Sequence, residues 1–184
     1  LFLFLDLGLG TAVVQSPALS ETQQTALFRA HLALGATLAL GSLALAPLAA
    51  RFYARLELTP LITLMSSAYL LNAIGGMPRA LLTRQLRFDA INRIETTAAL
   101  LGTGAMLIAA VLGCGAYTFA VFLLVSEGVS AVYAWRFCPW RPQPLANFEQ
   151  SRAILHNGWR LTRYHMLNYG VQQIDAILLG QISG

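Results

Sequence analysis

The sequence contains no lysine. Arginine carries all of its basic charge, twelve residues against eight acidic ones. Charged side chains make up 11% of the 184 residues, where a soluble domain carries about 25%. The surface of a soluble protein is therefore missing. Cysteine is scarce: Cys114 and Cys138 are too few for a disulfide framework, and they fall near the boundaries of different apolar runs, so neither a disulfide nor a metal site is expected. No signal peptide is readable, because Leu1–Leu5 has no basic stretch before it and no cleavage site after it. The chain opens on Leu1 inside one apolar run and closes on Ser183-Gly184 at the end of another, and an internal fragment of a longer membrane protein is expected. No nucleophile–base pair, metal-ligand cluster or Walker loop is found, so no enzyme, energy-coupling ATPase, cofactor or metal is expected in this chain.

What is present is apolar: 57% of the residues, with a mean hydropathy of +0.61. That excludes a disordered tail and a collagen-like fibre, and it points to an integral membrane protein. A net charge of +4 and a pI near 9.5 do not imply nucleic-acid binding here. The arginines sit between long apolar runs rather than along one face.

A helix crosses the hydrocarbon core in about 20 residues. Between Arg29 and Arg51 lie 21 residues without a formal charge, and between Glu57 and Arg79 another 21. The 31 residues between Glu95 and Glu127 are too many for one span, and Gly113-Cys114-Gly115 divides them. Helices are predicted at about 22–49, 59–83, 89–112 and 116–136. The opening segment 1–15 is the last part of a preceding span, and about 152–182 is a further, more polar one. Ser20 with Gln23 forms a capping box before the 22–49 helix. Pro60 is placed at the first helical position of the next. Pro139, Pro142 and Pro144 end the 116–136 helix. Short connections predict that consecutive helices are antiparallel neighbours. A β-barrel is not expected, because runs such as Ala98–Leu112 do not alternate polar with apolar. The expected fold is an all-α, polytopic transmembrane helix bundle.

Arginine counts orient it. The junctions near 16–24, 79–93 and 136–160 hold Arg79, Arg84, Arg87, Arg93, Arg136, Arg141, Arg152 and Arg160, with Arg29 and Arg163 close by. The junctions 49–58 and 113–115 hold Arg51 and Arg55. Ten against two places the first set in the cytoplasm.

Four stretches then acquire a meaning in order: FLDLGLGTAVVQ at 4–15, PRALLTRQLRF at 78–88, CPWRP at 138–142 and IDAILLGQISG at 174–184. In this order and spacing they resemble the polysaccharide-exporter branch, the O-antigen and exopolysaccharide flippases, of the multidrug/oligosaccharidyl-lipid/polysaccharide exporter superfamily. The chain departs from that pattern at Ala176, where the family usually has Arg, and at Ile182-Ser183, where it has two apolar residues. The resemblance implies 12 to 14 helices in two pseudo-symmetric lobes. Residues 1–150 would supply N-terminal-lobe helices, with the first helix missing, and 151–184 the first helix of the C-terminal lobe. It further implies flipping of a lipid-linked oligosaccharide or polysaccharide precursor by alternating access, in the multi-pass inner membrane of a bacterium. The implied partners are that substrate, membrane lipids and a coupling ion or proton, with no nucleic acid. A drug or cation antiporter of the same superfamily and a non-transporting membrane scaffold are the alternatives.

Flipping needs a polar path, and a charge facing lipid costs about 2.5–3.5 kcal/mol or more. Polar residues in the spans are therefore the site candidates. In the closing segment Tyr164, Asn168, Gln172 and Asp175 follow i, i+4, i+8, i+11 and fall within about 80° of one helix face, with Arg160 about 40° off it. They read as a cavity wall or as a polar seam between helices. Arg29 reads as a diphosphate ligand or as a snorkelling side chain. His31 reads as structural. Glu127 reads as the partner of an arginine or as a proton carrier. Asp6, beside Gly8 and Gly10, reads as a packing or capping residue, and Glu95 is a further candidate. The basic segment Arg79, Arg84, Arg87 and Arg93 reads as a contact with anionic headgroups, or as an entry for an anionic substrate. Gly8-Leu9-Gly10-Thr11-Ala12 is not a dinucleotide loop, since no strand precedes it and the third glycine is missing.

Overall fold

A computed structural model describes Val13 and residues 19–143. Four helices follow one another: α1 (Glu21–Phe52), α2 (Leu58–Arg84), α3 (Phe88–Val111) and α4 (Tyr117–Phe137). No strand occurs among the described residues. All four helices are long and apolar enough to cross a membrane. At 1.5 Å per residue, the 21 residues of α4 match the ~30 Å hydrocarbon core, and the 32 of α1 reach about 48 Å. The predicted closing span lies outside the described residues, as does the opening one apart from Val13.

Local chemistry sets the helix ends. Ser20 accepts from the Gln23 amide, and the Gln23 side chain accepts from the Ser20 amide, completing the capping box. α2 begins at Leu58, so Pro60 is its third residue rather than its first. It is still inside the first turn, where a missing N–H costs no helical bond. α1, α2 and α3 end in the same Schellman pattern. The closing bonds run from Arg55 N to Ala50 O, Arg87 N to Leu82 O and Cys114 N to Ala109 O. The left-handed residue in each is Ala54, Leu86 and Gly113 respectively.

α1 packs along α2, α2 along α4, and α4 along α3. α2 and α3, although joined by a three-residue turn, touch lightly. The expected neighbour relation therefore fails at this one junction, because the small-residue faces of α2 are taken by α1 and α4. Gly75 lies against Ala131 of α4, where an added Cβ would sit 3.0 Å from the Ala131 Cα. Gly76 leaves room for His31 of α1, whose Nε2 would be 2.6 Å from such a Cβ. Small residues that let backbones approach are the usual basis of helix association in lipid.

The two ends of the bundle differ. One carries the 53–57 and 112–116 loops. The other carries the α2–α3 turn, the start of α1 and the segment 138–143, and it holds the main apolar cluster, which includes Leu27, Phe28, Met77, Leu82, Ile94 and Cys138. Arg84, Arg87, Arg29 and Arg141 gather at this second end, and Arg51 and Arg55 lie at the first.

Candidate functional site

Asn72 and Arg79 are seven residues apart on α2, two helical turns, and so share a face. Glu127 and Ser130 are three apart on α4 and share another. The Gly75–Ala131 contact brings these two faces together. Asn72 Nδ2 donates to Glu127 Oε2 at 3.0 Å, and Arg79 Nη1 donates to Ser130 Oγ at 2.9 Å. Arg79 Nη1 also lies 3.7 Å from Glu127 Oε2, a loose ion pair with the side chains 25% and 17% exposed. Asn72 and Ser130 are buried.

Glu127 stands ten residues from either end of α4, so it is about 15 Å inside the membrane, near its midplane. Asn72 is near the middle of α2. Arg79 lies five residues from the end of α2. Its side chain reaches inward to Ser130 rather than outward to the headgroups. A carboxylate at this depth is tolerated because a guanidinium and an amide face it. The four residues thus form a polar seam through the centre of an apolar bundle, able to hold an anion or to exchange hydrogen bonds with a passing polar group.

A second cluster closes the arginine-rich end. Pro78 is inside α2 and has no N–H for the Ile74 carbonyl four residues earlier. Trp135 of α4 supplies the missing donor, with its Nε1 3.0 Å from Ile74 O. The Trp135 ring meets Phe28 of α1 edge-on at 5.7 Å, stacks with Trp140 at 5.9 Å and lies beneath the Arg141 guanidinium at 5.4 Å. Gln143 then ties the segment to α1: its amide donates to Thr25 Oγ1 at 3.1 Å and its side chain to Glu21 Oε2 at 2.6 Å. Cys138 is buried here, and burial pushes its thiol up, against the smaller opposing effects of a backbone hydrogen bond and of Arg141 and Arg87. Both cysteines are free, at opposite ends of α4.

The other expected site residues fall as follows. Glu127 lies opposite Arg79, with 3.7 Å between Oε2 and Nη1. Arg29 Nη2 donates to Gln143 O at 3.2 Å. His31 is buried against Gly76. Arg84 Nη1 donates to Val13 O at 2.7 Å and Arg87 Nη1 to Phe137 O at 3.1 Å, so both are bound to main-chain carbonyls. Arg93 and Glu95 are exposed on α3. Asp6, Arg160, Tyr164, Asn168, Gln172 and Asp175 lie outside the described residues. Sequence reasoning missed Asn72 and Ser130 as members of the seam. The available signal was the two-turn spacing of Asn72 and Arg79 inside an apolar helix.

A family model described as "Polysaccharide biosynthesis protein" matches residues 1–184, the whole chain. Two curated proteins are similar over nearly all of it. The teichuronic acid biosynthesis protein TuaB of Bacillus subtilis (strain 168) is 24% identical over 182 residues, which is 98% of this chain and 38% of that protein. The lipopolysaccharide biosynthesis protein WzxC of Escherichia coli (strain K12) is 26% identical over 181 residues, 97% of this chain and 37% of that protein. The chain therefore spans less than two fifths of the length of these relatives. No solved structure matches.

Proposed function

The chain belongs to the polysaccharide biosynthesis protein family, and from that premise we propose that it is part of a transporter, not an enzyme, that moves a lipid-linked oligosaccharide or polysaccharide precursor across the bacterial cytoplasmic membrane by alternating access. Residues 1–150 would supply helices of the N-terminal lobe and 151–184 the first helix of the C-terminal lobe. The arginine-rich end faces the cytoplasm in this reading, following the ten-to-two distribution of arginines.

The observation that carries the proposal is the seam of Asn72, Arg79, Glu127 and Ser130 in the middle of the apolar bundle. Intramembrane ionisable residues mark substrate and ion paths by default, since lipid gives them no partner. A saccharide carrying a phosphate needs hydrogen-bonding groups and a cation at membrane depth, and no covalent chemistry. In this reading the expected Tyr164, Asn168, Gln172 and Asp175 face, with Arg160 at its end, belongs to the same path. Binding sites near the midplane, at the interface of two repeats, suit alternating access.

The test is complementation. The full-length protein is expressed in cells lacking their own exporter, and surface saccharide is measured per folded molecule. Wild-type protein should restore export. Asp175→Asn should keep the folded yield and impair export, with a changed pH or ion dependence. Absence of export with a matched lipid-linked precursor would overturn the transport reading. Normal export per molecule in the Asn variant would remove Asp175 from the path.

A further inference from the structure

Arg79 is held differently from the arginines near it. Arg29, Arg84, Arg87 and Arg141 all donate to main-chain carbonyl oxygens. Arg79 meets described residues through Nη1, which serves both Ser130 and Glu127. Its Nε–Nη2 edge, two parallel donors in one plane, has no acceptor among the described residues. A fork of this kind matches two oxygens of a phosphate. At 3.7 Å, Glu127 neutralises the guanidinium without a hydrogen bond to it.

Resting on the transport reading above, we propose that the Nε–Nη2 edge of Arg79 binds the phosphate of the lipid-linked saccharide, and that Glu127 is the internal anion that balances Arg79 until that phosphate arrives. An uncompensated guanidinium inside the membrane is costly, so the empty site requires an anion. A close bidentate carboxylate would hold the fork too tightly to be exchanged, whereas the loose pair leaves the fork open. Asn72 gives the carboxylate a hydrogen bond of its own at 3.0 Å. Glu127 is therefore not orphaned when Arg79 engages the phosphate.

The experiment uses purified full-length protein in neutral detergent, with farnesyl diphosphate as the binding probe and thermal unfolding as the check on folding. Arg79→Gln should weaken binding about tenfold or more, the scale of a charged hydrogen-bond pair. Arg79→Lys, which keeps the charge and loses the fork, should fall between. Glu127→Gln removes the competing anion and should tighten binding by about tenfold. The double variant should match Arg79→Gln alone. A Glu127→Gln protein that melts at the wild-type temperature and binds the probe no better than wild type overturns the proposal. If Glu127→Gln does not fold, Asn72→Ala decides instead. It frees the carboxylate to close on Arg79 and should weaken binding, and unchanged affinity overturns the proposal. Phosphatidylglycerol micelles at matched phosphate should not displace the probe. Displacement would assign the edge to bulk phospholipid and overturn the proposal. Wild-type export together with unaltered probe affinity in Arg79→Gln sinks this inference and leaves transport standing. The expected binding pattern in a protein that exports nothing sinks the transport reading and leaves the phosphate site.

Discussion

At the arginine-rich end, an indole on a backbone carbonyl, a stacked Trp135–Trp140 pair and the Gln143 hydrogen bonds join α1, α2, α4 and the 138–143 segment. At the opposite end, the 53–57 and 112–116 loops face each other across an open cleft of about 460 Å³, with Arg55, Glu57 and Tyr117 in its lining. No side-chain hydrogen bond joins these two loops among the described residues. The contrast teaches where this bundle can move. Helices fastened at one end and free at the other separate first at the free end, and local opening follows the density of cross-links. The bond from Trp135 to Ile74 grips α2 between Asn72 and Arg79, so the polar seam lies at the inner edge of the fastened end.

The largest test of this contrast is Trp135→Ala. It removes a half-buried aromatic packed against the core and leaves the Ile74 carbonyl without its donor, so a loss of up to about 3–5 kcal/mol is expected in unfolding of the full-length protein. Trp135→Phe keeps most of the ring and loses the N–H, for about 1–3 kcal/mol. Tyr53→Ala at the opposite end should cost less than either, since Tyr53 is exposed. Equal losses at the two ends would break the comparison. Next in size is Gly76→Ala, which drives a methyl into His31 and should cost about 1–3 kcal/mol. Gly104→Ala, with nothing within 4 Å of the new methyl, should be neutral or gain up to about 1 kcal/mol.

Cysteine labelling sharpens the comparison without altering the core. Cys114 is half-buried beside the open cleft and should react first with a membrane-impermeant maleimide, from outside the cell. Cys138, buried and with its thiol pushed up by that burial, should react more than about tenfold more slowly. Its rate should climb only as the pH passes above the ordinary thiol range, because the raised value keeps the neutral thiol to higher pH. Faster labelling of Cys138, or labelling of Cys114 from the cytoplasm, would invert the assignment of the ends. The smallest effects belong to the two non-glycine residues in left-handed conformation. Ala54→Gly and Leu86→Gly should each stabilise by about 1 kcal/mol or less, one at each end, measured by thermal unfolding.

The helices were legible because a bilayer imposes a length: charge-free runs such as 30–50 and 58–78 sit within α1 and α2. The capping box at Ser20 and the turn at Gly113 were readable because their chemistry is local. The pairing of α2 with α4 was not. It depends on Gly75 meeting Ala131, and nothing in the spacing of either residue names the other. For the same reason Arg79 read as one more arginine of a basic junction. A charge near a helix end looks like a boundary until its carboxylate partner, 48 positions along the chain, is placed opposite it. That an arginine stands opposite Glu127 likewise needed the third dimension.

The bond from Trp135 to Ile74 also has a consequence for how this protein is made. The two residues are 61 positions apart, and ribosomes add about 5–20 residues per second. The Ile74 carbonyl is therefore synthesised roughly 3–12 seconds before the indole that satisfies it exists. During that interval α2 carries an open acceptor that lipid cannot satisfy. Docking of α4 then satisfies that acceptor, so the proline of α2 adds a reason for the second and fourth helices to pair once both are made.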